Sequence, residues 1–391
     1  MSTLYTPMLG RDAGEAHRAS TPLELLVDLS FVVAVARAAA GLHHQLMEAH
    51  VGAGIAAYLV VFFAIWWAWM NFSWFASSFD TDDVPYRLLT LVQMFGVLVL
   101  ASGVDAAFDG HYGTVAIGFL ILRIGLIGQY VRLASSAPQR RSMAITFAAG
   151  LAVLQVGWMS RLLIDGPMAA IALGALVLAE LAFPRLVNVG AAPIWHPEHI
   201  AERFGLFTII VLGECLLAVA NAVQEGVAER GVTASLAVLA GGSMLVLFGV
   251  WWRYFDFPAE EALRADPRLS YWWSYGHYAV FASVAAMGAG LEVVAGGMSH
   301  VDLTEGAVVA TVAVPLMVFL VVTSLLHRHT GTGSLPSIVR TATALVALGL
   351  VVAAAPLLGV PGSIGALGLV VAAGVTASFF EAARTPGGTP T

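Results

Sequence analysis

His196-Pro-Glu-His-Ile-Ala-Glu-Arg-Phe-Gly-Leu-Phe-Thr-Ile-Ile-Val-Leu-Gly-Glu214 runs from a cluster of ionisable residues into an apolar helix that carries a further carboxylate. Glu214 follows Glu202 at a spacing that corresponds to roughly 18 Å of α-helix, more than half the hydrocarbon thickness of a bilayer. A charge at such a depth costs roughly 3 kcal/mol on insertion scales, so it persists only where a partner, a cavity or a function accounts for it. The stretch predicts a membrane helix. Its first turns, with His196, His199, Glu202 and Arg203, are either a solvated helix start or a polar cluster at one end of the bilayer.

The rest of the chain agrees. Its 391 residues are 59% hydrophobic and 11% charged, with a mean hydropathy of +0.84, which describes a polytopic membrane protein. The apolar run from Thr21 to Gly41 contains Glu24, Asp28 and Arg37. That is the wrong make-up for a cleavable signal, so it reads as the first span. A single cysteine, Cys215, rules out an internal disulfide and a thiolate metal cage. The basic residues are all Arg, and the net charge of −7 with no basic run argues against nucleic acid as a partner.

Breaks at charged, Pro- or Gly-bearing positions predict twelve spans, at 21–41, 51–76, 86–107, 113–134, 143–163, 167–187, 201–223, 233–255, 270–296, 306–326, 337–358 and 361–381. The fold expected is therefore an all-α integral membrane protein of about twelve transmembrane helices. Arg140, Arg141, Arg185, Arg264 and Arg268 all fall on one set of alternate connections, whereas the other set holds only Arg161 and Arg230. By the positive-inside tendency this predicts a plasma (inner) membrane protein with both termini cytoplasmic.

The two halves resemble each other. Trp66-Trp67 with Phe79-Asp80 answers to Trp251-Trp252 with Phe255-Asp256, and Gly103-Val-Asp105 answers to Gly290-Leu-Glu292. Six spans lie between matching elements, an even number, so the expectation is two parallel six-helix repeats. The division predicted is 1–20 cytoplasmic segment, 21–187 first repeat, 188–200 cytoplasmic connecting loop, 201–381 second repeat and 382–391 cytoplasmic tail. On this register Arg37 falls at nearly the level of Glu214, and a cross-repeat ion pair is expected.

Several groups carry chemistry. Glu24 and Asp28 share a helix face at i and i+4; either Glu24 is a wet helix end and Asp28 bonds a neighbouring Ser or Trp, or the pair supplies a functional acid one turn inside the bilayer. Asp80, Asp82 and Asp83, followed by Pro85 and Arg87, fit helix-start chemistry equally with a hard-oxygen site for Mg²⁺ or another divalent cation. His196-Pro-Glu-His199 does not match His-Glu-x-x-His, because its histidines are three apart with a Pro between. Arg203 is expected to pair with a carboxylate, Glu202 or Asp82 being the candidates. His277 is either a satisfied interior group or a proton carrier with Asp256 as its acid.

These residues resemble those of a known family. Glu24-Leu-Leu-Val-Asp-Leu-Ser-Phe-Val is similar to the Glu-Leu-Phe-Phe-Asp-Leu-x-Phe-Val of the low temperature requirement A (LtrA) membrane proteins. Phe79-Asp-Thr-Asp-Asp with Arg87, His199-Ile-Ala-Glu-Arg-Phe-Gly with Leu212-Gly-Glu214, Tyr254-Phe-Asp256 and Gly276-His277 extend the likeness over about residues 20–300. Leu26-Val27 replaces the usual Phe-Phe and Cys215 a common Ser. The resemblance implies an integral membrane protein named for a cold-growth phenotype, and it carries no substrate or reaction.

The expected function is a transporter or permease for an unknown small molecule or ion in the lipid bilayer. Glu24, Asp28, Arg37, Glu214, Asp256 and His277 are its coupling or pore candidates. Asp80, Asp82, Asp83, Arg87, His196, His199, Glu202 and Arg203 form an inner polar cluster. Two alternatives stand beside it: an intramembrane, divalent-cation-dependent enzyme acting on a lipid or isoprenoid-like substrate, and a non-catalytic membrane-adaptation protein.

Overall fold

In the computed structural model, residues 4–11, 18–187, 195–296, 303–329 and 335–384 are described, with only the backbone of residues 230 and 381–384. Every regular element among the described residues is helical. They are α1 (Pro22–Met47), α2 (Val51–Phe79), α3 (Val84–Ser102), the short α4 (Val104–Phe108), α5 (Gly113–Ser136), α6 (Arg141–Arg161) and α7 (Pro167–Val187), then α8 (Pro197–Arg230), α9 (Ala234–Phe255), the short α10 (Ala259–Ala265), α11 (Ser270–Ala295), α12 (Glu305–His329), α13 (Leu335–Ala353) and α14 (Ala355–Arg384). Twelve of them are long and apolar enough to cross a membrane, and each falls on one of the expected spans.

Their outward faces are apolar. Phe95 on α3, Val153 on α6, Leu178 on α7 and Leu350 on α13 are all more than half exposed. Stripes of this kind on helix after helix are stable only against hydrocarbon. The chain is a multi-pass membrane protein.

Helix starts follow local chemistry. Thr21 and Glu24 form a reciprocal capping box at the head of α1: Glu24 N–H donates to Thr21 Oγ1 (3.2 Å) and Thr21 N–H to Glu24 Oε2 (2.7 Å). Asp83 caps α3 by accepting from Tyr86 N–H (3.1 Å), with Pro85 in the first turn. Asp82 just before it takes the left-handed backbone, φ 47°, a conformation that carboxamide and carboxylate side chains tolerate better than most.

Two compact units divide the chain. One holds residues 1–38 and 59–204, the other 39–58 and 205–391. In the first, α3 and α5 pack almost backbone to backbone. A Cβ on Gly118 would meet Leu100 N at 2.3 Å, and one on Gly96 would meet Leu122 N at 2.7 Å. Glycine is the residue that permits such an approach between membrane helices. A core of Met8, Phe75, Phe79, Tyr86, Tyr130, Leu133 and Phe147 closes one end of this unit. Met8 brings the segment before α1 into it.

The second unit uses the same device between α9 and α14. A Cβ on Gly242 would lie 2.6 Å from Ile364 O, and one on Gly368 would lie 2.7 Å from Gly242 O. α14 is bent at Gly359 (φ 68°, ψ 163°), just before Pro361. The expected last span begins at 361, at that Pro-Gly break, and the structure carries helix on both sides of it.

Candidate functional site

The first unit contains a buried ladder of acids and bases built from i, i+4 pairs on three helices. α1 supplies Glu24 and Asp28, α8 supplies His199 and Arg203, and α2 supplies Trp69 and Ser73, all of them 0% exposed. Spacing of four keeps each pair on one face of its helix. One rung is Glu24 with His199, where Oε1 and Nε2 are 3.1 Å apart. About one helical turn further along lies the second rung, where Arg203 Nη2 donates to Asp28 Oδ1 at 2.6 Å. The rungs follow in the same chain order on both helices, so α1 and α8 run parallel here.

Asp28 Oδ1 also accepts from Trp69 Nε1 (2.8 Å), and Arg203 Nη2 reaches Ser73 Oγ (3.3 Å). Aromatic rings wall the second rung. Phe72 lies under the guanidinium at 5.7 Å, and Phe204 stands edge-on to Trp69 at 4.8 Å. The pairing is incomplete. Asp28 Oδ2, Arg203 Nε and Nη1, and His199 Nδ1 are buried without a hydrogen-bond partner among the described residues, and Glu24 Oε1 and His199 Nε2 face each other at ion-pair distance without hydrogen-bond geometry. A buried donor or acceptor left unmade costs about 1–3 kcal/mol and more when charged. A network held only for stability would gain by completing these bonds.

The rim of the ladder is polar as well. Arg18 donates to the carbonyls of Ser77 and Ala76 at the end of α2, the latter at 2.8 Å, where a cation suits the helix dipole. His196 N–H reaches Ser77 Oγ (3.3 Å), and Glu202 accepts from Ser20 N–H (3.1 Å). Asp80 is 5% exposed and accepts from Asp82 N–H at 2.8 Å. Burial pushes its carboxyl up to about 6, with Glu24 adding to the rise and Arg18 opposing it.

The three aspartates after α2 do not converge. Asp80 is buried and within electrostatic reach of Glu24. Asp82 is held bidentately by Arg87 at the surface, at 2.9 and 2.8 Å, and Asp83 caps α3 while pairing with Arg132. Burial alone would raise the Asp83 carboxyl, but the N–H groups of Thr6 and Tyr86 and the Arg132 guanidinium hold it below its ordinary value. Among the described residues no group of three or more His, Cys, Asp or Glu side chains is placed to hold a metal ion.

Other expectations are redirected by helix geometry. Arg203 pairs with Asp28 rather than with Glu202 or Asp82. Glu202 is one residue away and so turned roughly 100° around α8, and Asp82 is taken by Arg87. Arg37 follows Asp28 by roughly two and a half turns and so lies on the opposite face of α1. Its partner is Asp105, at 3.8 Å with both side chains mostly exposed, not Glu214. Glu214 and His277 belong to the second unit. Glu214 has no ion-pair partner among the described residues. His277 bonds Tyr254 OH through Nε2 (3.0 Å) and Trp273 O through Nδ1 (2.7 Å), so it is a satisfied interior group. Asp256 ends α9 as an exposed residue.

One buried ion pair is not among the residues that the sequence singles out. Arg123 of α5 binds Glu180 of α7 at 2.6 Å, with side chains 4% and 1% exposed. Trp67 Nε1 (2.7 Å) and Trp158 Nε1 (2.9 Å) donate to the same carboxylate. The available signal was one unmatched base and one unmatched acid inside spans of the same half.

Comparison with known proteins comes to the same place. The chain is similar to an uncharacterized protein of Rhizobium meliloti (strain 1021), 27% identical over 303 residues, 73% of this chain and 71% of the relative. No solved structure matches. The family model described as "Bacterial low temperature requirement A protein (LtrA)" matches residues 19–375. That match takes in both rungs of the ladder, and the chain belongs to the LtrA family.

Proposed function

We propose that this protein is a permease of the plasma membrane, with both termini cytoplasmic, in which the Glu24–His199 and Asp28–Arg203 ladder couples movement of a small solute or ion to protonation. The observation that carries this reading is the pair of acid–base rungs, fully buried yet short of hydrogen bonds at Asp28 Oδ2, Arg203 Nε and Nη1, and His199 Nδ1. Ionisable groups inside a membrane are costly and mark ion or proton pathways. A carboxylate beside an imidazole exchanges a proton with little movement, and a carboxylate held by one oxygen has a second oxygen to protonate. Asp80, whose carboxyl is pushed up to about 6, stands at the rim as a proton acceptor between ladder and solvent.

The test is transport by purified protein in liposomes under an imposed pH gradient, followed with a pH-sensitive dye and a panel of solutes. Glu24→Gln and Asp28→Asn, each monodisperse in detergent, are expected to lower proton-coupled flux at least tenfold. Unchanged flux in both variants, or no flux for any solute in the wild type, would overturn the reading.

A further inference from the structure

We propose that residues 4–11 form a releasable strap that locks the end of α2 beside the ladder, and that its release opens the rim of the ladder to water. The proposal rests on the ladder as the working site of the permease described above. All the groups involved belong to the first unit. The last turn of a helix leaves carbonyls short of partners, and at the end of α2 three successive ones are gripped by the chain that precedes α1. Arg18 donates to the carbonyls of Ala76 and Ser77, and Arg11 N–H donates to that of Ser78 at 2.9 Å. The grip reaches both faces of the helix. Met8 is buried against Phe75 and Phe79, whereas Ser73 and Ser77, which bond Arg203 and His196, lie on a face of α2 turned roughly 160° away.

The seat of the strap is built to take a backbone. Thr6 N–H donates to Asp83 Oδ2 at 2.7 Å, and Arg132 Nη2 donates to the Thr6 carbonyl at 2.7 Å, while Asp83 and Arg132 pair with each other. One ion pair between the cap of α3 and the side of α5 thus offers an acceptor and a donor to a single residue, as a sheet edge does to an added strand. The Tyr5 ring covers the Arg132 guanidinium at 5.3 Å. Gly10, at φ 93°, takes a backbone conformation that glycine adopts without strain and so lets the chain turn between Met8 and Arg11.

What holds the strap is slight enough to let it go. Residues 4–11 form no helix or strand, Leu4, Tyr5 and Leu9 are more than half exposed, and Met8 alone among the eight is fully buried. One anchoring side chain and its hydrogen bonds are set against the backbone entropy of ordering the whole segment. Segments with few buried apolar contacts open locally, well before the helices they cover. Release leaves no charge stranded, because Asp83 still caps α3 and pairs with Arg132. It frees the end of the helix that supplies Trp69 and Ser73 to the second rung and Ser77 to the rim, so water reaches Ser77 first.

The experiment uses the full chain in neutral detergent and two readouts. Hydrogen exchange of the wild type, followed by mass spectrometry, is expected to run at least about a hundredfold faster in residues 4–11 than in the second half of α2. Equal protection would make the strap a permanent part of the core and overturn the proposal. The second readout is labelling of Ser77→Cys, a position 0% exposed, by a water-soluble maleimide. Met8→Asp expels the strap from its aromatic seat and is expected to speed that labelling about tenfold, whereas Met8→Leu keeps the seat filled and labels like S77C alone. Thr6→Pro, which removes the N–H that Asp83 accepts, is expected to speed labelling at least about threefold, and it decides the matter if the aspartate variant fails to fold. Labelling as slow in the Thr6→Pro protein as in S77C alone would overturn the proposal. Neither readout involves transport, so a protein that carries no solute can still show the strap, and a working permease with a fixed strap would sink this inference alone.

Discussion

Single residues in this protein are set by what a low-dielectric interior demands of a charge. Glu180 satisfies its carboxylate with Arg123, Trp67 and Trp158, a fully dressed ion of the kind that holds helices together. Glu180→Leu leaves Arg123 buried and uncompensated, with an expected loss of about 3–5 kcal/mol. The R123L/E180L double variant is expected to lose less than the sum of the two single changes. Thermal midpoints of the four proteins in detergent measure that coupling, and strict additivity would deny the pair. Asp80 behaves in the opposite sense. Its carboxyl moves from an ordinary 3.8 to about 6 on folding, so the folded state prefers the proton. The contribution is fully present below about pH 4, and is lost as pH rises through 6, a swing of about 3 kcal/mol. Asp80→Asn is therefore expected to flatten the stability–pH curve between pH 4 and 6 and to leave the protein more stable than wild type at pH 7. A variant curve that still falls across that interval would contradict the assignment.

At the scale of elements, the helices are placed by where backbones touch. Gly118 of α5 lies against the backbone of Leu100 on α3, whereas Gly113, one turn and a half earlier on α5, has nothing within 4 Å of an added Cβ. Gly118→Val must push α3 and α5 apart, and it is expected to cost about 3 kcal/mol or more, beyond ordinary overpacking because the obstacle is main chain. Gly113→Val is expected to be near neutral. Unfolding of both in detergent distinguishes close packing from a general cost of replacing glycine in α5. The ladder belongs to this scale as well. The parallel run of α1 and α8 brings Glu24 to His199 and Asp28 to Arg203, and a shift of either helix by one residue would unmake both rungs.

At the scale of the whole molecule, the twelve apolar helices among the described residues, with arginines gathered on alternate connections, predict sidedness. Cys215 is 0% exposed and its thiol faces Val284 O at 3.2 Å, so it stays silent to a membrane-impermeant maleimide. Asp165→Cys in the α6–α7 connection is expected to label in intact cells, and Glu261→Cys on α10 only in inside-out vesicles. The reverse pattern would invert the orientation. The number and type of helices were legible in the sequence because a span needs a certain length of unbroken hydrocarbon, which is a local property of the chain. Glu24, Asp28, His199 and Arg203 were legible as candidates for the same reason, since charge inside such a run cannot be accidental. Their pairing was not. Whether Arg203 meets Glu202, Asp82 or Asp28, whether Arg37 turns to Glu214 or to Asp105, and whether His277 has an acid or Tyr254 beside it depend on helix rotation and on which helices adjoin. The sequence by itself determined a multi-pass helical membrane protein and the residues that pay its solvation cost. Only the tertiary structure decided which charge answers which, because that choice rests on contacts between segments far apart in the chain, Asp28 with Arg203 and Arg123 with Glu180, on which local hydrophobicity has no bearing.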